Sequence, residues 1–96
     1  NFYVIKGFKD KDTELIYNQK FSKRLPPAIQ KIALRKLMMI HNSKTREDLR
    51  IPPANRLEAL EGDRKGQYSI RINGQWRICF TVENGDFYEV EIVDYH

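Results

Sequence analysis

Apolar residues recur along the chain with two distinct periods. Ile29, Ile32, Ala33, Leu37 and Ile40 fall at three- and four-residue spacing, the stripe of a helix that buries one face. Pro26 and Pro27 suit its start, where a missing N–H has no intrahelical partner to lose. His41 and Asn42 close it, Asn being able to take a left-handed C-terminal conformation. Lys31, Arg35 and Lys36 read as lying off this stripe, and Met38 and Met39 as packing residues. Upstream, Asp10, Asp12 and Thr13 offer capping oxygens and first-turn acids to a shorter helix reaching about Gln19. Residues 2–8 are rich in β-formers and predict a first strand. Residues 45–49 predict one helical turn, which Pro52 and Pro53 end. Residues 54–66 read as polar and irregular apart from Leu57 and Leu60.

In the last third the period changes to two. Residues 67–72, 76–82 and 87–95 alternate as strands, separated by Asn73-Gly74 and Asn84-Gly85 turns. The alternation selects the register, because a one-residue slip would move every side chain to the other face. A three-residue loop over 73–75, with its glycine left-handed, pairs Ile72 with Trp76, Ile70 with Ile78 and Tyr68 with Phe80. A similar loop over 84–86 pairs Val82 with Tyr88, Phe80 with Val90 and Ile78 with Ile92. The predicted fold class is α+β: a small antiparallel sheet with two N-terminal helices packed on one face. Residues 1–96 read as a single domain, with no repeat or linker.

Seventeen Lys and Arg against thirteen Asp and Glu leave a net charge of +4. That excess suits a polyanionic partner but is equally ordinary solubility charge, so position matters more than total. No apolar run approaches a membrane span. The first eight residues do not form a secretory leader. One cysteine forms no internal disulfide, which points to a cytoplasmic protein.

The polar face of the predicted sheet carries the chemistry. The register sets Arg71 directly opposite Arg77 and brings Tyr95 near Gln75. Opposed like charges destabilise a strand pair by up to about 1 kcal/mol. Two readings offset that cost. In one, the pair is solvated and screened by salt and by Glu89 and Glu91. In the other, the arginines, with Arg64 and Lys65 from the adjacent loop, form an anion site suited to phosphate. Cleaving RNA at such a phosphate needs a base for the 2′-hydroxyl, a cation for the pentacovalent charge and an acid for the leaving oxygen. Asp94, Tyr95 and His96 are the densest proton-transfer cluster, and Glu58 and Glu61 are alternative acceptors. No metal site is expected, since His41 and His96 are far apart and Cys79 sits mid-strand. No cofactor is expected either, since no Gly-rich phosphate loop is present.

These residues resemble the HigB toxins of the RelE/ParE superfamily, most closely their GraT-like branch. The resemblance is carried by Asn55-Arg56-Leu57-Glu58, then Leu60, Gly62, Arg64, Gly66-Gln67 and Ser69-Ile70-Arg71. It continues through Gln75-Trp76-Arg77, Cys79-Phe80 and the closing run from Val90 to Asp94-Tyr95-His96, with Ile5-Lys6-Gly7-Phe8 similar to the family's start. It implies a RelE-like fold and a metal-independent, ribosome-dependent mRNA endoribonuclease that inhibits translation. It also implies a HigA-type helix-turn-helix antitoxin, through which alone the toxin meets operator DNA. Family roles fall on Arg77 for phosphate stabilisation and on Asp94, Tyr95 and His96 at the terminus. Beside these family roles, Arg56, Arg64, Lys65 and Arg71 are secondary candidates for contacts to phosphate. Better-known HigB toxins place a His and a Lys where this chain has Glu58 and Glu61, so Glu58 becomes a candidate base. Two other functions fit the same fold: a ParE-like gyrase poison without RNase activity, and a non-catalytic RNA-binding module using the basic helix face.

Overall fold

The computed structural model describes residues 5–95. Helix α1 (Lys11–Tyr17) begins where Asp10 Oδ1 accepts the Thr13 N–H at 2.7 Å, with Asp12 and Glu14 in its first turn. It ends at Tyr17, two residues short of Gln19. Gln19 has a φ of 64°, and Lys20 N donates to Leu15 O while Gln19 N donates to Ile16 O. That double closure satisfies the last helical carbonyls and stops the helix. Helix α2 (Pro27–Asn42) follows with the expected buried Ile29, Ala33, Leu37 and Ile40. Asn42 does not take the left-handed conformation expected of it; Ser43, extended, caps the helix instead.

One reading of α2 is corrected. Lys36 is buried, at 8% exposure, rather than off the stripe. It stands three residues after Ala33 and four before Ile40, so helical spacing places it on the core-facing side. Its Nζ donates to Oδ1 of fully buried Asn55 at 2.5 Å, and Asn55 Nδ2 donates to the Leu49 carbonyl at 3.1 Å. Burial, reinforced by Arg35, pushes the Lys36 pKa down. Two short 3₁₀ turns, Arg46–Arg50 and Pro53–Asn55, are thereby fastened to α2.

The sheet has four antiparallel strands in chain order: β1 (Glu58–Ala59), β2 (Tyr68–Arg71), β3 (Trp76–Glu83) and β4 (Asp86–Asp94). Strand β1 lies in the stretch read as irregular; at two residues it is too short to show alternation. The first hairpin has the predicted register, with Tyr68 opposite Phe80, Ile70 opposite Ile78 and Arg71 opposite Arg77. Its loop is held by Asn73 Oδ1, which accepts the N–H groups of Gln75 and Trp76, and Gly74 is not left-handed.

The second hairpin departs from expectation. Asn84 and Gly85 both have positive φ, 54° and 85°, and form a two-residue turn that pairs Val82 with Phe87 rather than with Tyr88. A bulge then inserts one residue, with Glu89 at a φ of 54°, so Ile78 meets Ile92 as predicted. The bulge lets Phe87 and Val90, three residues apart, both enter the core. Residues 2–4 of the predicted first strand lie outside the described residues. Residues 5–8 form only isolated parallel bridges to β4, at Phe87 and Val90.

The core lies between the helices and one sheet face, where Phe80 packs edge-on against Phe87 at 5.1 Å. Thr13 Oγ1 accepts the Ile92 N–H at 2.9 Å and ties α1 to β4. No helix among the described residues is long and apolar enough to cross a membrane.

Candidate functional site

The pleat sends alternate residues of each strand to the face turned away from the helices. Ser69 and Arg71 of β2, Arg77 and Cys79 of β3, Glu91 and Val93 of β4, and Tyr95 just beyond share that face. Glu58 of β1 joins them through its pairing with Ser69.

Arg77 is the best-anchored charge there. It is only 8% exposed, so the solvated-pair reading fails for it. Its Nε donates to Ser69 Oγ at 2.7 Å, and its Nη2 donates to the Arg56 carbonyl at 2.6 Å and the Ser69 carbonyl at 3.3 Å. The Glu58 carboxylate stands 3.8 Å from Nη2, and the Tyr95 ring centroid is 5.9 Å from the guanidinium carbon. Among the described residues no hydrogen bond occupies Nη1. A buried guanidinium needs such partners, because burying an unpaired cation costs several kcal/mol.

The backbone is shaped to supply them. Arg56 has φ 47° and ψ 58°, a left-handed conformation that costs a non-glycine residue of order 1–3 kcal/mol. It directly follows Asn55, the residue gripped by Lys36. A lysine in the core therefore fixes the carbonyl that orients the arginine on the opposite face.

The remaining site residues divide. Arg71 lies across from Arg77, with Nη2 3.7 Å from the Cβ position of Gly74, at the turn. Arg64 joins the face through Glu91 at 3.3 Å and Gln67 at 2.9 Å. The Arg56 side chain and Lys65 are exposed. Asp94 pairs with Trp76, which puts it on the helical side of the sheet, where its Oδ1 accepts from Gln75 Nε2. Tyr95 is 39% exposed and held by its N–H to the Gln75 carbonyl at 2.6 Å. His96 lies outside the described residues. Cys79 is fully buried, and burial pushes its thiol pKa up, so it stays a packing group. Among the described residues no three His, Cys, Asp or Glu side chains gather as a metal site.

The family described as the RelE-like toxin of the type II toxin–antitoxin system HigB matches residues 6–96. The chain belongs to that family. The HigB match takes in every strand of the sheet and every candidate site residue. Toxin HigB-1 of Vibrio cholerae serotype O1 is 43% identical over 79 residues, covering 81% of this chain and 83% of that protein. Endoribonuclease HigB of Proteus vulgaris is 31% identical over 93 residues, covering 97% of this chain and all of that protein. As a type II toxin, a HigB protein has an antitoxin as its partner.

From sequence, Ser69 and Asn55 entered only within the family motif, and neither was given a role at the site. Ser69 carried a usable signal, since it lies two residues from Arg71 on the same face and diagonally next to Arg77. Asn55 carried none, because its partner is a lysine nineteen positions away. In this cluster the guanidinium can stabilise an anion, Glu58 can accept a proton and the Tyr95 phenol can donate one.

Proposed function

We propose that this HigB-family toxin cleaves mRNA on the ribosome, with the phosphate held at Arg77. The carrying observation is the guanidinium fixed by Ser69 and the Arg56 carbonyl, with no hydrogen bond to Nη1 among the described residues and with Glu58 and Tyr95 beside it. The likeness to Endoribonuclease HigB of Proteus vulgaris supports an endoribonuclease.

In this reading Glu58 takes the 2′-hydroxyl proton as O2′ attacks phosphorus. Arg77 stabilises the charge that grows on the non-bridging oxygens, and Tyr95 or His96 protonates the departing O5′. The P–O5′ bond breaks, leaving a 2′,3′-cyclic phosphate and a 5′-hydroxyl, with no metal in the step. Arg64, Arg71, Arg56 and Lys65 bind neighbouring phosphates, and Asp94 acts from the other face by holding the strand end through Gln75. Residues 1–96 act as one cytoplasmic toxin domain, neutralised by a HigA-type helix-turn-helix antitoxin that carries it to operator DNA.

Cleavage of ribosome-bound message by purified Arg77→Ala and Arg77→Lys proteins tests this. Loss in both, with the Lys variant folded, supports the reading. Wild-type cleavage in a folded variant overturns it, as does inhibition of gyrase supercoiling by a wild-type protein that cuts no message.

A further inference from the structure

The loop joining the two helices, residues 18–25, has no part in the Arg77 chemistry. Hydrogen bonds fasten it at its start and at its middle. The double closure at Gln19 and Lys20 fixes its start. Ser22, fully buried, is then held from four sides. Its N–H donates to Gln30 Oε1, its Oγ donates to Asp12 Oδ1, its carbonyl accepts from Gln30 Nε2, and its Oγ accepts the Arg24 N–H.

With Ser22 pinned inward, its neighbours are forced out. Phe21 is 64% exposed, Lys20 and Lys23 are exposed, and the Arg24 side chain is 83% exposed, its Nε 3.7 Å from Asp12. Exposed Lys31 and Arg35 continue the same charge along α2. Between Glu14 and Glu47 the chain has no acidic residue at all.

We propose that this loop is a second RNA-binding surface, in which Phe21 stacks on an unpaired base while Lys20, Lys23 and Arg24 contact the flanking phosphates. An aromatic ring displayed among cations by a rigid loop matches how single-stranded RNA is held: stacking on π-faces, with phosphates on lysine and arginine. Charge complementarity selects a polyanion. Behind this surface, Arg24 and Leu25 line a cavity of about 190 Å³ with Asp10, Asp12 and Trp76, the first residue of β3. The loop therefore sits at the Tyr95 end of the sheet, on the side away from Arg77. The surface extends the proposed function and stands whether or not Arg77 cleaves.

The test is fluorescence anisotropy of the full chain with a labelled, 2′-O-methylated single-stranded RNA of about a dozen nucleotides, which cannot be cut. Phe21→Ala should weaken binding on the order of 10-fold, as loss of one stacked base does. Phe21→Trp should restore it and Phe21→Leu should not. Lys23→Ala should lower the slope of log affinity against log salt by about 0.7, the single-strand value for one phosphate. Arg77→Ala should keep the Phe21-dependent binding, so a failure of the cleavage assignment registers separately. Unchanged RNA affinity in Phe21→Ala overturns the proposal, as does an effect of that variant on antitoxin binding alone.

Discussion

The two faces of the sheet use the same strands under opposite rules. Toward the helices, Ile70, Ile78, Phe80 and Ile92 interlock, and each contact can be replaced only by something of similar shape. On the other face, Arg77 is as buried as many core residues, yet it is held by hydrogen bonds to oxygens of Ser69 and Arg56. An apolar face is stable because water is excluded from surface. A polar buried face is stable only while each donor and acceptor keeps its partner, so its geometry is fixed more tightly than its energy is lowered.

The sharpest way to break the contrast is to cut into each face. Phe80→Ala should remove about 3–5 kcal/mol by leaving a cavity against Phe87, read by urea unfolding. In a domain stabilised by about 5–15 kcal/mol, that removes a large share of the margin. Arg77→Ala should act mainly on turnover, with cleavage of ribosome-bound message falling ~10²–10³-fold, as when a single charge-stabilising donor is removed. It should also destabilise by about 1–3 kcal/mol, because Ser69 Oγ and the Arg56 carbonyl lose their donor. Arg77→Lys keeps the charge but not the fork. It should recover stability more than activity.

Ser69→Ala probes positioning without removing charge. It should cost about 1 kcal/mol and lower turnover more than message affinity, since the guanidinium stays but loses the bond that orients it. An equal effect on both would show that Ser69 serves only packing.

The smallest expected effect is a slope against pH. Folding holds the Lys36 pKa below its ordinary value, so the unfolded chain binds more protons between the two. Unfolding free energy should therefore rise with pH across the interval from the depressed value up to about 10.4, the unfolded lysine value. Lys36→Met should remove that rise while keeping the stem's packing. The difference between wild-type and variant titrations isolates it from other lysines. A flat difference would mean Lys36 titrates normally.

How much of this was legible depended on distance along the chain. The first hairpin was readable to the residue, because period-two alternation over Tyr68–Arg71 and Trp76–Glu83 leaves one register that buries Ile70, Ile78 and Phe80 together. The second was not, because the bulge rests on Glu89, a residue type that gives no sign of a positive φ. The opposition of Arg71 and Arg77 was visible, and so was the side of the sheet it faced. Its burial was not, because the covering carbonyl belongs to Arg56, twenty-one positions upstream in a segment with no periodicity. Lys36 was a different failure. Its place in the α2 stripe was countable, and its charge outweighed its spacing.

Among the described residues, both margins of the sheet are short or largely covered. Strand β1 is two residues long, too short to template pairing. Along β4, the Phe87 carbonyl accepts from Lys6 N, the Val90 N–H and carbonyl bond Gly7 and Lys9, and the Ile92 N–H bonds Thr13 Oγ1. Unsatisfied strand edges are where β-proteins stick to copies of themselves. Covered this way, the two margins offer another copy of the chain little free backbone to pair with.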